Sequence, residues 1–210
     1  LPDDIDLLML VHPKDLDESA LYRLEQFVLG GGRLVAFLDP LSIVDSQSAM
    51  NMQNMMQRQG STLGPLLKAW GLDFDINKVL ADRTFLSQIS RGNQPADEPT
   101  WLTLFGEAIN GDDIVTGDID RLLVPTAGAF TGTPAEGLTQ TVLLKSSEHS
   151  DLMDRTMVQF GANVNNDFKS SGKEHSLAVR LTGKFKTAFP DGAPGADASD
   201  EESADAAGSD

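Results

Sequence analysis

Hydrophobic positions near the start of the chain follow first a strand pattern and then a helix pattern. Residues 5–11 are almost continuously apolar, which is typical of a parallel strand buried on both faces. Residues 20–28 carry apolar side chains at helical spacing, and residues 34–38 form a second apolar run. The three glycines at 30–32 follow the helix, so they predict a helix C-cap and not a phosphate loop, which would precede a helix. The pattern predicts a right-handed β-α-β unit.

The pattern beyond this unit is less regular. A helix is predicted over residues 62–70, with Pro65 as an alternative start and Gly71 as its end. Residues 90–100 are interpreted as a polar linker that contains prolines. Short apolar or alternating runs predict further strands at residues 72–76, 78–80, 101–105, 122–124, 141–144 and 177–182.

Composition divides the chain into a folded part and a tail. Acidic residues number 32 against 16 Lys and Arg, and seven of the acids, with no base, lie in residues 191–210. That segment of Ala, Gly, Ser, Asp and Glu is predicted to be a disordered acidic tail or linker. Residues 1–190 are predicted to form an α/β domain with a polar, methionine-rich loop at 42–60.

Charge and cysteine content exclude several function classes. A formal charge of -16 argues against duplex nucleic acid or an anionic lipid surface as a partner, since both require clustered Lys and Arg. The absence of cysteine excludes a zinc ribbon, a cysteine protease and a cysteine-dependent amidotransferase. Because Leu1 is not an initiator methionine, we expect the sequence to be a piece of a longer protein.

Two polar residues follow the two predicted parallel strands. His12 and Asp39 would lie at the carboxyl edge of the sheet, where open α/β sheets bind ligands, and a His with a carboxylate can perform acid–base chemistry. Alternatively, both are turn residues, since each precedes a proline. Lys14 lies two residues beyond His12 and would belong to the same ligand or partner edge.

Four methionines lie within seven residues of the predicted loop. They are Met50, Met52, Met55 and Met56. Thioethers can bind Cu(I), and a flexible methionine-rich loop can also form an adaptable contact surface. We predict no metal site here; the loop is interpreted as a mobile, partly buried insertion, with partner contact through the methionines as the alternative.

Three other clusters carry chemically suggestive residue types without a supporting motif. Carboxylates bind hard cations, and four lie close together at Asp112, Asp113, Asp118 and Asp120. Their spacing does not match the EF-hand pattern and favours a turn. Hydrolase-like residue types occur at Ser146, Ser147, His149 and Asp151 without a nucleophile elbow. A basic spot at Arg180, Lys184 and Lys186 would meet an acidic partner, the acidic tail or solvent. We therefore predict no catalytic residues, no metal and no cofactor.

Two segments resemble a known family. Residues 4–16 form an apolar strand that ends in Pro-Lys, and residues 21–40 contain Glu-Gln-Phe-Val, glycines and a strand that ends in Asp-Pro. With residues 176–190, these motifs resemble the auxiliary component of gliding-motility-type ABC transporters. The resemblance implies a periplasmic or otherwise extracytoplasmic domain, anchored in the membrane by helices outside this sequence and working beside an ABC permease and ATPase.

The resemblance also implies a fold. It predicts an open, mostly parallel sheet with flanking helices, like the class I glutamine amidotransferase or flavodoxin folds. Members of the family continue into a further strand that is missing here, so the sheet is expected to be incomplete. An open edge would favour strand pairing or a homo-oligomer.

Two functions from different classes follow. The first is a non-enzymatic accessory domain of an ABC transport system that contacts the permease or a solute or protein partner. The second is an enzyme on an amidotransferase-like sheet that uses His12 and Asp39. A hinged, two-lobed solute receptor is a weaker third hypothesis, because the chain is short for two lobes. Convergence of His12 and Asp39 in a cleft would favour the enzyme.

Overall fold

The computed structural model describes residues 4–44, 60–91, 94–160 and 168–195. The α-helices that lie entirely within these ranges are α1 (Glu18–Leu29), α2 (Pro65–Ala69) and α3 (Arg155–Gln159). Its eleven strands within these ranges are β1 (Leu7–Val11), β2 (Arg33–Phe37), β3 (Leu72–Phe74), β4 (Lys78–Asp82), β5 (Leu86–Arg91), β6 (Gln94–Phe105), β7 (Arg121–Pro125), β8 (Phe130–Gly132), β9 (Leu138–Lys145), β10 (Ser150–Asp154) and β11 (Ser176–Gly183).

The predicted β-α-β unit is confirmed. Strands β1 and β2 pair in parallel, with Leu8 opposite Leu34. Helix α1 begins after the N-cap Asp17, whose carboxylate accepts a hydrogen bond from the Ala20 backbone N–H at 2.6 Å. The helix ends at the glycines, and Gly31 adopts a left-handed φ of 96°. One face of the strand pair packs against α1 in a shared core.

The prediction of an open, mostly parallel sheet is wrong. After β2, every strand pairing among the described residues is antiparallel, in sheets with the orders β3-β8-β11-β9, β5-β6-β7 and β4-β10. A parallel connection needs a crossover of a dozen or more residues, usually a helix. Residues 75–77, which connect β3 to β4, are too few to form one. The amidotransferase-like and flavodoxin-like interpretations fail for the same reason.

The predicted polar linker at residues 90–100 is also wrong, because these residues belong to β5 and β6 wherever they are described. Proline usually interrupts a strand because it cannot donate to a ladder. Here β7 pairs only with Trp101–Phe105 of β6, so Pro95 lies where β6 is paired with β5 alone. Pro99 lies in the register shift between Glu98 and Leu102. An open strand side and an irregularity of the ladder both accommodate proline.

Three hydrophobic clusters of the described residues hold these elements together, and the smallest consists of Ala81 of β4, Met153 of β10 and Phe168. The first joins α1, α2 and β3 around Leu24, Leu66 and Trp70, with the inner side chains of β1 and β2 against it. The second is centred on Leu80, Leu102 and other buried side chains of the strands that follow. Of the two predicted starts of the helix in residues 62–70, the alternative at Pro65 is confirmed by α2.

Some predicted features fall outside the described residues. These include the four methionines of the 42–60 loop and all of the acidic tail beyond residue 195. Within the described ranges, none of the helices combines the length and the apolar composition that crossing a bilayer requires.

Candidate functional site

The ends of β1 and β2 bring His12 and Asp39 together. His12 Nδ1 lies 3.3 Å from Asp39 Oδ2, and the His12 backbone N–H donates to the Phe37 carbonyl at 2.9 Å. The His12 side chain is 12% exposed and the Asp39 side chain 39%. His12 also has a φ of 49°, a left-handed conformation that is uncommon outside glycine. The local backbone therefore turns at the strand end with both side chains in contact.

A third residue, Ser61, completes this cluster. Its hydroxyl accepts from the Asp39 backbone N–H at 2.7 Å and lies 3.0 Å from His12 Nδ1. Its own N–H donates to the Asp39 carbonyl at 2.8 Å, and the residue is fully buried. The sequence carries no signal for this role, since Ser61 lies 22 residues from Asp39 along the chain.

The cluster has triad residue types but lacks triad geometry. In a Ser-His-Asp triad, the serine and the carboxylate contact opposite nitrogens of the imidazole ring. Here Ser61 Oγ and Asp39 Oδ2 both contact Nδ1, and Ser61 is inaccessible to a substrate. The contacts therefore tie together the ends of β1, β2 and the segment before α2. A carboxylate on Nδ1 still orients an imidazole for proton transfer, which is the one geometric support for an enzyme.

Lys14 is exposed and lies in the connection that His12 begins. Met50, Met52, Met55 and Met56 lie outside the described residues, so their predicted contact role stays a prediction.

The side of β1 and β2 that faces away from α1 is apolar and exposed. The register places alternate residues of both strands on this side: Leu7, Met9 and Val11 of β1, and Arg33, Val35 and Phe37 of β2. Leu7 is 51%, Met9 56%, Val11 69% and Phe37 53% exposed. We call the apolar members of this set, Leu7, Met9, Val11, Val35 and Phe37, the outer face. The prediction that β1 is buried on both faces is wrong, because α1 covers the inner side only.

One ion pair joins the acidic and basic clusters singled out in the sequence. Arg180 forms two contacts with the buried Asp113 carboxylate, at 2.7 and 3.0 Å. Lys186 instead lies 3.1 Å from Glu136, which is outside the acidic cluster. Within the part of the chain that the structure describes, no group of three or more metal-ligating side chains is arranged to hold an ion. The two ion pairs connect β11 and the segment after it to the loops that contain Asp113 and Glu136.

The hydrolase-like residues do not converge on one another as a triad. Ser147 donates to the fully buried Asp82 carboxylate through both its hydroxyl and its N–H, at 2.8 and 2.7 Å. His149 Nδ1 instead lies 3.2 Å from Thr84 Oγ1. Nearby, burial lowers the pKa of His175 below its ordinary value. The arrangement fixes the turn between β9 and β10.

A comparison with sequence models of protein families shows which family this chain belongs to. The sequence model of a family described as "ABC-type uncharacterized transport system" matches residues 1–208. The chain belongs to this family of auxiliary ABC transport components. The match covers the β-α-β unit, the antiparallel sheets and most of the acidic segment. No curated protein and no solved structure matched the chain.

Membership of this family confirms the resemblance to an auxiliary component of ABC transporters. The gliding-motility subtype stays a prediction.

Proposed function

We propose that this chain is a non-enzymatic, extracytoplasmic accessory domain that contacts the permease of its ABC transport system through the outer face. The proposal includes a membrane anchor provided by helices beyond the sequence described and an ATPase as the third component. The observation that carries it is the exposed apolar outer face in a member of an auxiliary transport family.

The outer face has the physical character of a contact surface. Parallel strands are normally covered on both sides, and a two-stranded sheet is marginal by itself. Here α1 covers one side, while Met9, Val11 and Phe37 are each more than half exposed on the other. Complete burial of an exposed apolar side chain contributes about 1.5–3 kcal/mol. Since these side chains are already partly buried, a partner would gain roughly half of that from each, and appreciable affinity from several.

One charged residue, Arg33, lies at the margin of the outer face. Arg33 lies opposite Leu7 in the register, at the start of β2. The other pairs of the outer face, Met9 opposite Val35 at its centre and Val11 opposite Phe37 at the strand ends, are uncharged. An apolar centre with charge at the rim is the usual anatomy of a protein–protein interface.

Co-purification of the natural, membrane-tethered protein with its co-expressed permease and ATPase tests this proposal. We expect Val11→Ser and Phe37→Ser to reduce recovery of the permease at equal bait yield. Leu123→Ser is the matched control, because Leu123 is also 53% exposed but lies on β7. Equal recovery with all three variants would contradict a contact through the outer face. Recovery of a second copy of the chain in place of the permease would indicate a homo-oligomer.

The His12–Asp39 contact supports a second candidate function, acid–base catalysis. Turnover of a panel of esters and amides by the purified protein would support it if His12→Gln abolished the turnover while permease recovery stayed unchanged.

A further inference from the structure

The connection between β6 and β7 contains a second exposed apolar element. We infer that residues 110–120, the docking loop, insert Ile114 and Val115 into an apolar pocket with a basic rim on another protein component of the transport system. This inference rests on the proposed function, because it takes the partner from the same transport system.

The tip of the docking loop consists of two adjacent β-branched side chains. Ile114 is 95% exposed and Val115 is 59% exposed. Isoleucine and valine are among the residues most often buried in folded proteins, although single exposed ones are common. Two in succession at the tip of one loop give a compact apolar projection.

The docking loop is held in one conformation by its own hydrogen bonds. Thr116 Oγ1 donates to the Asn110 carbonyl at 2.6 Å, and the Gly117 N–H donates to the Asp113 carbonyl at 2.7 Å. The Val115 N–H donates to Asp113 Oδ1 at 3.0 Å. The backbone on both sides of Ile114 is therefore fixed before any partner binds.

Contacts with the neighbouring sheet fix the position of the loop. Asn110 donates to β9 through its side chain, to the Val142 carbonyl at 3.0 Å, and through its N–H, to the Leu143 carbonyl at 2.9 Å. The Asp113 carboxylate, 5% exposed, binds Arg180 of β11 at 2.7 Å. A loop already ordered loses little conformational entropy when it binds, which favours affinity.

The charge around the tip indicates the chemistry of the partner. Residues 106–120 contain no Lys, Arg or His, and their exposed acids are Glu107, Asp112, Asp118 and Asp120. The remaining acid, Asp113, is paired with Arg180. An apolar tip with an acidic surround complements an apolar pocket rimmed by Lys and Arg. The same acids oppose insertion into an anionic bilayer, so a protein partner is favoured over lipid.

The test measures the affinity of the natural full-length protein for the purified permease–ATPase complex in nanodiscs of neutral lipid. We expect Ile114→Ser to weaken binding about tenfold to a hundredfold, as truncation of a central interface anchor does, and Val115→Ser to weaken it less. Leu29→Ser is the control, because Leu29 is 40% exposed at the end of α1, and it is expected to leave the affinity unchanged.

A charge series tests the basic rim separately. The triple variant Asp112→Asn, Asp118→Asn, Asp120→Asn is expected to slow association and to flatten its dependence on salt, since exposed charges act mainly on the association rate. An unchanged salt dependence would contradict the basic rim.

Three results would contradict the inference in different ways. Wild-type binding that Ile114→Ser leaves intact would contradict the inference alone. Absence of wild-type binding would contradict the proposed function as well. Binding of the wild-type protein to phosphatidylcholine vesicles, lost in Ile114→Ser, would assign the tip to lipid and overturn the protein partner.

Discussion

A buried glutamate joins the C-terminal end of the described domain to its first helix. Glu25 on α1 is fully buried, and its two carboxylate oxygens accept hydrogen bonds from Thr187 Oγ1, at 2.6 Å, and from the Ala188 N–H. Ring contacts accompany them, with Tyr22 packed edge to face on Phe189. The perturbation is Glu25→Gln, which keeps the shape of the side chain and removes one of its two acceptor oxygens.

The expected cost follows from the two hydrogen bonds. A glutamine in this position can accept from the Ala188 N–H with its carbonyl oxygen and donate its NH₂ group to Thr187 Oγ1, so two hydrogen bonds to a carboxylate become two hydrogen bonds to a neutral amide. Hydrogen bonds to charged groups contribute about 1.5–3 kcal/mol each, and neutral ones contribute about 0.5–1.5 kcal/mol each. We expect Glu25→Gln to lower the free energy of unfolding by about 1–3 kcal/mol.

Urea denaturation followed by circular dichroism measures this loss of stability. Hydrogen exchange at the Ala188 and Phe189 amides measures whether this segment detaches locally from α1. Glu136→Gln is the control, because Glu136 is also paired, with Lys186, but its side chain is 91% exposed. Exposed ion pairs contribute little. Equal urea midpoints for Glu25→Gln and Glu136→Gln, with unchanged exchange at Ala188, would refute the reasoning.

Three further predictions concern single side chains elsewhere. His175 has a pKa lowered by burial from 6.5, so the unfolded chain takes up its proton at a higher pH than the folded chain. Stability should then fall as the pH drops below about 6.5, and urea midpoints from pH 5 to 8 should show a shallower fall for His175→Gln. Gly71→Ala should cost roughly 2–4 kcal/mol by calorimetry. Gly71 has a φ of 80°, and a Cβ there would lie 2.2 Å from the Thr133 carbonyl oxygen; an unchanged melting temperature would contradict the strain. Ser61→Ala should cost about 1–3 kcal/mol in urea denaturation and leave permease binding unchanged, whereas lost binding would assign Ser61 and His12 to the contact itself.

The sequence was informative where structure is decided by local pattern. The apolar run of β1, the helical spacing in α1 and the glycines at 30–32 act over a few residues, and each identified its element. The end of α2 shortly before Gly71 and the strand character of residues 177–182 were found in the same way.

Pairing partners could not be read from the same local pattern. An alternating run predicts a strand equally well whichever neighbour it meets, so β11 gave no indication that it pairs with both β8 and β9. The parallel sheet was extrapolated from one β-α-β unit, although only α1 among the described helices has the length of a crossover.

Sequence patterns also did not identify the residues that complete each polar cluster. Ser61 joins His12 and Asp39 from a distant part of the chain, and Asp82 binds Ser147 over a separation of 65 residues. A lone Ser or Asp in an unremarkable stretch carries no periodic or motif signal. The exposure of the outer face could not be predicted for a related reason, since a continuous apolar run is typical of a strand buried on both sides.

The most direct test of the account places a photoreactive amino acid at position 9, at the centre of the outer face, in the natural protein within its own membranes. Met9 is 56% exposed, and the control carries the same photoreactive group at Leu123, which is 53% exposed on β7. The account predicts that irradiation crosslinks the permease from position 9 and not from position 123. Crosslinking of the permease from position 123 alone, or from neither position at equal expression, would contradict it.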